Sequence, residues 1–277
     1  MKKLADALFL AVLVLVVSYS PVGATSGTLT ITTSRTLTED HNGNIVIATD
    51  GVVLNCAGHT VAGNGSGTGI EIIGITGATV TNCQVTNFRR GVFLQAASNN
   101  ILQRNVISNN AEEGFELERS DANTFINNRV NENGRDGFDL DDSHGNIFIR
   151  NAVIENTLNG IELDRSSNNV FLGNTANNNG RNPQGMLIEE RSGFSLDSAN
   201  NNFFRGNTAN RNSRNGFRLD SSSDNTLMAN RANGNEGRDV GFIDQADCKQ
   251  IGISIRNQFL SNVFTNPDDC IFRLPGD

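Results

Sequence analysis

A repeat of 23 residues constrains this chain more than any other feature of its sequence. Six copies of the repeat begin with a glycine, namely Gly91, Gly114, Gly137, Gly160, Gly193 and Gly216. The spacing is 23 residues in every step except that from Gly160 to Gly193, which contains ten more. Repeats of this length are typical of a solenoid, in which each copy packs against its neighbours.

Apolar residues recur at fixed positions after each glycine. The next residue is Val, Ile or Phe, and the residue three after the glycine is always Leu. Apolar side chains two residues apart lie on one face of a β-strand. Two further apolar positions recur 11 and 16 residues after the glycine. The pattern therefore predicts about three short strands in each coil rather than helices.

Asparagine occupies three other positions in all six copies, 9, 14 and 19 residues after the glycine. Equivalent residues of stacked coils lie about 4.8 Å apart, so their amides can form hydrogen-bonded ladders. Asparagine also tolerates the left-handed backbone of a sharp turn, so we expect these residues to form the turns. Together the rows predict an all-β fold, a right-handed parallel β-helix of about nine coils.

The two ends of the chain differ from the repeats. Lys2 and Lys3 precede an apolar run over 8–17, and small residues follow at 22–24, which is the pattern of a secretory signal peptide. We predict a signal peptide over 1–24, a β-helix with its N-terminal cap over 25–245, and a C-terminal cap over 246–277. An uncleaved anchor is the alternative for the apolar run. After cleavage of the signal peptide, the mature protein would be secreted, extracellular or periplasmic, with no membrane segment.

The composition excludes some partners and suggests cross-links. The formal net charge of −8 disfavours binding to nucleic acid or to an anionic membrane. Four cysteines, an even number in an exported protein, favour disulfides. Cys56 and Cys83 follow an asparagine in neighbouring coils, while Cys248 and Cys270 bracket the predicted C-terminal cap. We expect these two pairs, with a zinc site as the alternative.

Acidic residues form two rows at outward positions of the first strand. Glu116, Asp139 and Glu162 lie two residues after the glycine, and Glu118, Asp141 and Asp164 lie four after it. The flanking leucines point inward, so these carboxylates should point outward and stack on consecutive coils. Arg119, Asp142 and Arg165 follow each pair.

Three interpretations of this face remain open. It is a solvated surface neutralised by Arg119 and Arg165, a Ca²⁺ site, or a catalytic carboxylate pair. The candidate Ca²⁺ ligands are Asp139, Asp141, Glu162 and Asp164. The candidate catalytic residues are Asp139, Asp141, Asp142 and His144, although His144 occupies a turn position that favours an ordinary surface histidine. The other ligand-binding candidates are Glu116, Glu118, Arg119, Glu162, Asp164 and Arg165.

The copies of Gly-Phe-x-Leu with their asparagine rows, together with the segment Leu-Asn-Cys-Ala-Gly-His-Thr-Val-Ala-Gly at 54–63, carry a family resemblance. They resemble bacterial secreted right-handed β-helix repeat proteins of the pectate-lyase-like superfamily, a broad group that includes NosD-like periplasmic proteins. The resemblance implies an extracellular polysaccharide as partner and polysaccharide hydrolases, lyases and epimerases as relatives.

We therefore expect a secreted protein that binds polysaccharide or has a structural role, with Ca²⁺ as the candidate cofactor. A polysaccharide-active enzyme and a NosD-type periplasmic maturation protein are the alternatives. Copper handling is disfavoured because His41, His59 and His144 occupy unrelated positions in the repeat. The sequence has no Trp, and its only Tyr lies in the predicted signal peptide, which leaves few residues for stacking on sugar rings.

Overall fold

Each coil of the chain contributes one strand to each of three parallel sheets in the computed structural model. The structure describes residues 24–180, 191–235, 248–251 and 255–265. These residues form no helix, and hence none that could span a membrane. The predicted signal peptide up to residue 23, the segment 181–190 and Cys270 lie outside the described residues.

The strands are numbered β1 to β31 in chain order. Sheet 1 contains β2 (Leu29–Ile31), β5 (Ile45–Ile47), β8 (Thr68–Ile73), β11 (Arg90–Gln95), β14 (Phe115–Glu118), β17 (Phe138–Asp141), β20 (Ile161–Asp164), β23 (Phe194–Asp197), β26 (Phe217–Asp220) and β29 (Cys248–Ile251). Sheet 2 contains β3 (Arg35–Thr36), β6 (Val53–Asn55), β9 (Thr79–Thr81), β12 (Ile101–Gln103), β15 (Thr124–Ile126), β18 (Ile147–Ile149), β21 (Val170–Leu172), β24 (Phe203–Arg205), β27 (Thr226–Met228) and β30 (Gln258–Leu260). Sheet 3 contains β1 (Thr25–Ser26), β4 (His41–Asn42), β7 (Thr60–Ala62), β10 (Gln84–Thr86), β13 (Val106–Ser108), β16 (Arg129–Asn131), β19 (Ala152–Ile154), β22 (Thr175–Asn177), β25 (Thr208–Asn210), β28 (Arg231–Asn233) and β31 (Val263–Phe264).

The register of the sheets follows the 23-residue repeat. In sheet 1, Leu140 lies between Leu117 and Leu163, the equivalent residues of the neighbouring coils. The described sheets contain 10, 10 and 11 strands, and the fold class predicted from the sequence is confirmed. Strands β29, β30 and β31 continue the three sheets within the range predicted as a C-terminal cap. The boundaries of that cap stay a prediction.

Columns of phenylalanine fill the middle of the stack. Phe125, Phe148, Phe171 and Phe204 stack face to face with ring centroids 4.6–4.8 Å apart. All four are fully buried. Their burial contributes roughly 1.5–3 kcal/mol each relative to an exposed side chain. The apolar row 11 residues after each glycine is therefore a continuous core column, as predicted.

The asparagine ladders are also present, with one correction to their local geometry. Asn123, for example, accepts the backbone N–H of Asn100 at Oδ1 and donates from Nδ2 to the carbonyl of Ala97. We expected the ladder residues to adopt the left-handed conformation, but the residue before each of them does so, as Ala122 does with φ 55°. A left-handed residue at the corner turns the next amide inward, where it satisfies buried backbone groups.

A disulfide cross-links two coils near the N-terminal end. Cys56 and Cys83 are bonded, with Cα atoms 4.7 Å apart, and both are fully buried. This confirms the first predicted pair. Such a bond typically adds about 2–4 kcal/mol to stability. The pairing of Cys248 with Cys270 stays a prediction, because Cys270 lies outside the described residues.

The outward faces of the sheets differ in chemistry. Sheet 2 presents half-buried apolar side chains, among them Ile126, Ile149 and Leu172. Sheet 1 presents carboxylates at the equivalent central coils. Charged and titratable side chains therefore concentrate on the face of sheet 1.

Candidate functional site

The two acidic rows lie on the outward face of sheet 1, as the repeat predicts. We call Glu116, Asp139 and Glu162 the first row and Glu118, Asp141 and Asp164 the second row. Within each row, the residues are direct partners in the parallel register. The leucines between the rows are fully buried, so both sets of carboxylates point away from the core.

Arg165 pairs with two of the three carboxylates of the second row. Its Nη2 contacts Asp141 and its Nη1 contacts Asp164, while its Nε lies 3.1 Å from Oδ1 of Asp142. Arg165 has φ 48°, and this left-handed corner directs its side chain back over the preceding carboxylates. At the N-terminal end of the second row, Gln95 donates a hydrogen bond of 2.7 Å to Glu118. Of the two arginines expected to compensate this face, Arg165 contacts its carboxylates, and the three interpretations of the face stay open.

Asp139, in the middle of the first row, has a very different environment. Burial raises its pKa to about 8, and the neighbouring charges of Glu162, Glu113 and Glu116 act in the same direction. The positive charge of Arg135 opposes this effect without cancelling it. Asp139 therefore carries a proton at neutral pH and can donate it.

Two arginines pair with carboxylates in and beside the first row. Arg90 lies 2.8 Å from Glu116, and Arg135 lies 3.0 Å from Glu113, which is itself 3% exposed. Burial still raises the pKa of Glu116 despite its bond to Arg90. Both arginines thus pair with carboxylates of the coil before Asp139, and the proton on Asp139 removes a further negative charge from the row.

The sequence analysis missed the residues that surround this row. Arg90, Glu113 and Asn159 each directly precede a repeat glycine, and Asn159 donates a hydrogen bond of 3.1 Å to Glu162. Their column is polar in all six copies, which was the available signal. Because the column has no single residue type, it did not stand out beside the asparagine rows.

His144 lies in the turn after β17. Its Nδ1 accepts the backbone N–H of Ser167 at 3.1 Å, and its own N–H donates to Asp121 at 2.7 Å. Both partners are the equivalent turn residues of neighbouring coils. The hydrogen bonds of His144 thus link it to the stacked turn residues of the coils before and after. Asp142 is a corner residue held by Arg165, and Arg119 is an exposed corner residue of the coil before.

The described residues contain no group of three or more His, Cys, Asp or Glu side chains arranged to hold a metal ion. Of the four predicted Ca²⁺ ligands, Asp141 and Asp164 contact Arg165. His41 bonds through both ring nitrogens, to Thr25 and to the carbonyl of Asn44. Both ring nitrogens of His41 are thus engaged within the protein.

The spacing of the coils and the protonation of Asp139 both bear on the chemistry that the first row can perform. Adjacent coils lie about 4.8 Å apart, which is close to the carboxyl separation of roughly 5–5.5 Å in retaining glycosidases. Neighbouring carboxyls whose environments push their pKa values apart can act as proton donor and as base or nucleophile. Asp139 has the raised pKa that a proton donor needs, and it has carboxyl neighbours on both sides.

The family model described as "Right handed beta helix region" matches residues 23–176, more than half of the chain. The chain belongs to the right-handed β-helix family. The model described as "Periplasmic copper-binding protein (NosD)" also matches, over residues 133–272. No curated protein sequence matches this β-helix chain.

Solved structures of polysaccharide-active proteins share the β-helix fold. An alginate lyase from Paenibacillus sp. str. FPU-7 matches with a TM-score of 0.63 and 12% identity, over 87% of this chain and 92% of that one. The periplasmic alginate epimerase AlgG gives 0.56 and 16%, over 81% of this chain and 51% of that one. Pectate lyase Pel9A gives 0.54 and 19%, over 88% and 68%. At these identities the likeness concerns the fold alone.

Proposed function

We propose that this protein is a polysaccharide-active enzyme that cleaves glycosidic bonds at the first acidic row of sheet 1. The proposal depends on one observation, which is that Asp139 stacks between Glu116 and Glu162 and has a pKa raised to about 8. A carboxylic acid that is neutral at pH 7 and flanked by carboxylates meets the chemical needs of glycoside hydrolysis.

Asp139 is the general acid in this proposal. It donates its proton to the glycosidic oxygen as the bond to the anomeric carbon breaks. Glu162 is the nucleophile that attacks the anomeric carbon, and Asn159 orients it through the 3.1 Å hydrogen bond. Water then supplies the new hydroxyl group, and the proton returns to Asp139. Glu116, bonded to Arg90, helps to keep Asp139 protonated.

A hydrolase fits this face better than a lyase. Lyase chemistry acts beside a sugar carboxylate, which the first row would repel at the reacting centre. It also needs a strong base, whereas Asp139 at neutral pH is an acid. We infer that the sugar bound at Asp139 is uncharged.

Binding of polysaccharide without cleavage is the second candidate function. The second acidic row favours it, because Arg165 and its three carboxylates form an exposed polar network suited to sugar hydroxyls. Calcium is the cofactor proposed for this candidate, and the carboxylate oxygens of Asp139 and Glu162 are its proposed ligands. A rise in melting temperature between EDTA and millimolar Ca²⁺ would support it.

We also propose that the protein is exported from the cytoplasm. The buried disulfide between Cys56 and Cys83 supports this localisation, because disulfides persist in oxidising compartments. The pattern at residues 1–24 supplies the expected signal for export.

The test is cleavage of polysaccharides by the mature protein, measured as new reducing ends. Asp139→Asn should lower the rate by about 10²–10⁴-fold, which is typical for loss of a general acid. The matched control is Asp141→Asn, which changes the same residue type two positions along the strand and should have a small effect. Equal rates for wild type and Asp139→Asn would contradict the proposal. Binding of the glycan without new reducing ends would favour the second candidate.

A further inference from the structure

The outward column of sheet 1 changes from acidic to basic after Glu162. The next residues in register are Ser195 and Arg218. Ser195 is fully buried and Arg218 is 9% exposed. Arg218 is held by Asp220 at 2.8 Å and by the Ser195 hydroxyl at 3.3 Å. The outward column thus ends its acidic run at Glu162 and then contains a buried hydroxyl and a buried arginine that is paired with Asp220.

Arg191 precedes Ser195 in the same coil and is the unusual residue of this region. Its side chain is 8% exposed, yet Nε and Nη2 have no hydrogen-bond partner in the structure as described. The hydroxyl of the adjacent Ser192 is also buried and has no partner among the same residues. Burying guanidinium nitrogens without hydrogen-bond acceptors is costly.

The repeat explains why Arg191 lacks the carboxylate partner that the equivalent arginine of an earlier coil has. Arg135 holds the same position, two residues before a glycine, and pairs with Glu113 of the preceding coil at 3.0 Å. The residue equivalent to Glu113 for Arg191 is Asn159. The Asn159 amide is already used, since Oδ1 accepts the N–H of Ser192 and Nδ2 donates to Glu162.

The repeat also indicates where the Arg191 side chain lies. Arg135 is close enough to Asp139 for its charge to lower the pKa of that carboxyl. A side chain two residues before the repeat glycine thus lies beside the outward side chain two residues after the same glycine. For Arg191, that outward residue is Ser195, which carries no charge. The repeat thus places Arg191 beside Ser195, which lies between Glu162 of the coil before and Arg218 of the coil after.

We propose that Arg191 binds an anionic group of the glycan, a carboxylate or a sulfate, two coils beyond Asp139. Two coils correspond to about 10 Å along the axis of the stack. The planar guanidinium is suited to bidentate recognition of either group, and the Ser192 hydroxyl supplies another donor. Arg218 adds positive charge on the next coil. This inference rests on the proposed function, because it takes the ligand to be a glycan. It adds that the substrate carries an anionic sugar at Arg191 in addition to the uncharged sugar at Asp139.

The first experiment measures melting temperature in sodium glucuronate, sodium sulfate and sodium chloride at equal ionic strength. One of the first two salts should raise the melting temperature of the wild type above its value in chloride. The glucuronate and sulfate arms distinguish the two anion classes. Arg191→Met should melt above the wild type in chloride, because the unpaired charge is removed, and should lose the anion-specific rise. Arg150→Met, at an exposed arginine, is the matched control and should behave like the wild type.

An Arg191→Met protein that keeps the full anion-specific rise would overturn the proposal, as would a wild type that responds to neither anion. If Arg191→Met does not fold, Arg191→Lys keeps the charge without the bidentate geometry and should bind the effective anion at least tenfold more weakly. Asp139→Asn separates the two proposals. It should keep the anion-specific rise whether or not it changes cleavage, so a failure of the catalytic proposal leaves the result for Arg191 standing.

Discussion

The two acidic rows of sheet 1 have almost the same composition, lie on the same strands and belong to the same coils, yet their chemistry differs. The second row is bound by Arg165 and is open to solvent. The first row is more deeply buried, and its central carboxyl is protonated at neutral pH. The difference lies in the neighbouring residues along the strand. The corner residue directly after Asp164 is Arg165, whose side chain reaches the carboxylates of the second row. The residues before the first row are themselves acidic or already paired.

The size of the repulsion explains why each row needs a remedy. Two unit charges about 4.8 Å apart repel by roughly 0.9 kcal/mol in water and by roughly 3.5 kcal/mol at an effective dielectric of 20. In the exposed second row, the positive charge of one arginine is sufficient to offset this repulsion. In the buried row the same spacing favours uptake of a proton. A repeat can therefore build two different sites from one residue pattern through burial and the placement of arginine alone.

The largest expected effect comes from the residue between the two rows. Leu140 points inward and is fully buried, so Leu140→Ala should lower the free energy of unfolding by about 2–5 kcal/mol. Urea unfolding measures this change. An unaltered midpoint would show that the strand is in a different phase, in which case the two rows would not share one outward face.

The next effect separates the rows by their response to pH. Folded Asp139 keeps its proton up to about pH 8, whereas in the unfolded chain it releases it near pH 4. Its contribution to stability is therefore fully present below about pH 4 and is lost as the pH rises through about 8. The slope is up to about 1.4 kcal/mol per pH unit in that window. Asp139→Asn cannot ionise, so the variant should lose this slope and be more stable than the wild type at pH 8.

Asp141→Asn is the control for this comparison. Its carboxyl is compensated by Arg165, so the variant should keep the wild-type dependence of stability on pH between 5 and 8. Urea unfolding of the three proteins across that range gives the slopes. Parallel curves for wild type and Asp139→Asn would mean that the rows do not differ in protonation.

The smallest effect is expected at the exposed network. Arg165→Gln should raise the pKa of Asp164 further, because burial already raises it and the positive charge of Arg165 opposes that rise. The melting temperature should change less than in the Leu140 or Asp139 variants, since exposed ion pairs contribute little to stability. A large loss of stability would show that the second row also depends on its ion pairs for folding.

The sequence predicted the fold because the repeat places every core residue in phase. The leucine and phenylalanine columns, the asparagine ladders and the stacked carboxylates all follow from positions counted after the glycine. The proton on Asp139 could not be predicted in the same way. It depends on the burial of an outward-pointing side chain and on Glu113, a residue whose column is polar but holds no single residue type. The pairing of Arg135 and the isolation of Arg191 have the same origin.

The measurement that tests this account most directly is a ¹³C NMR titration of the aspartate carboxyl groups in the wild type and in Asp139→Asn. The account predicts one carboxyl in the wild type that titrates near pH 8 and is absent from the spectrum of the variant. If every aspartate titrates below about pH 5, within the ordinary range for this side chain, the first acidic row holds no proton donor. The proposed difference between the two rows would then be wrong.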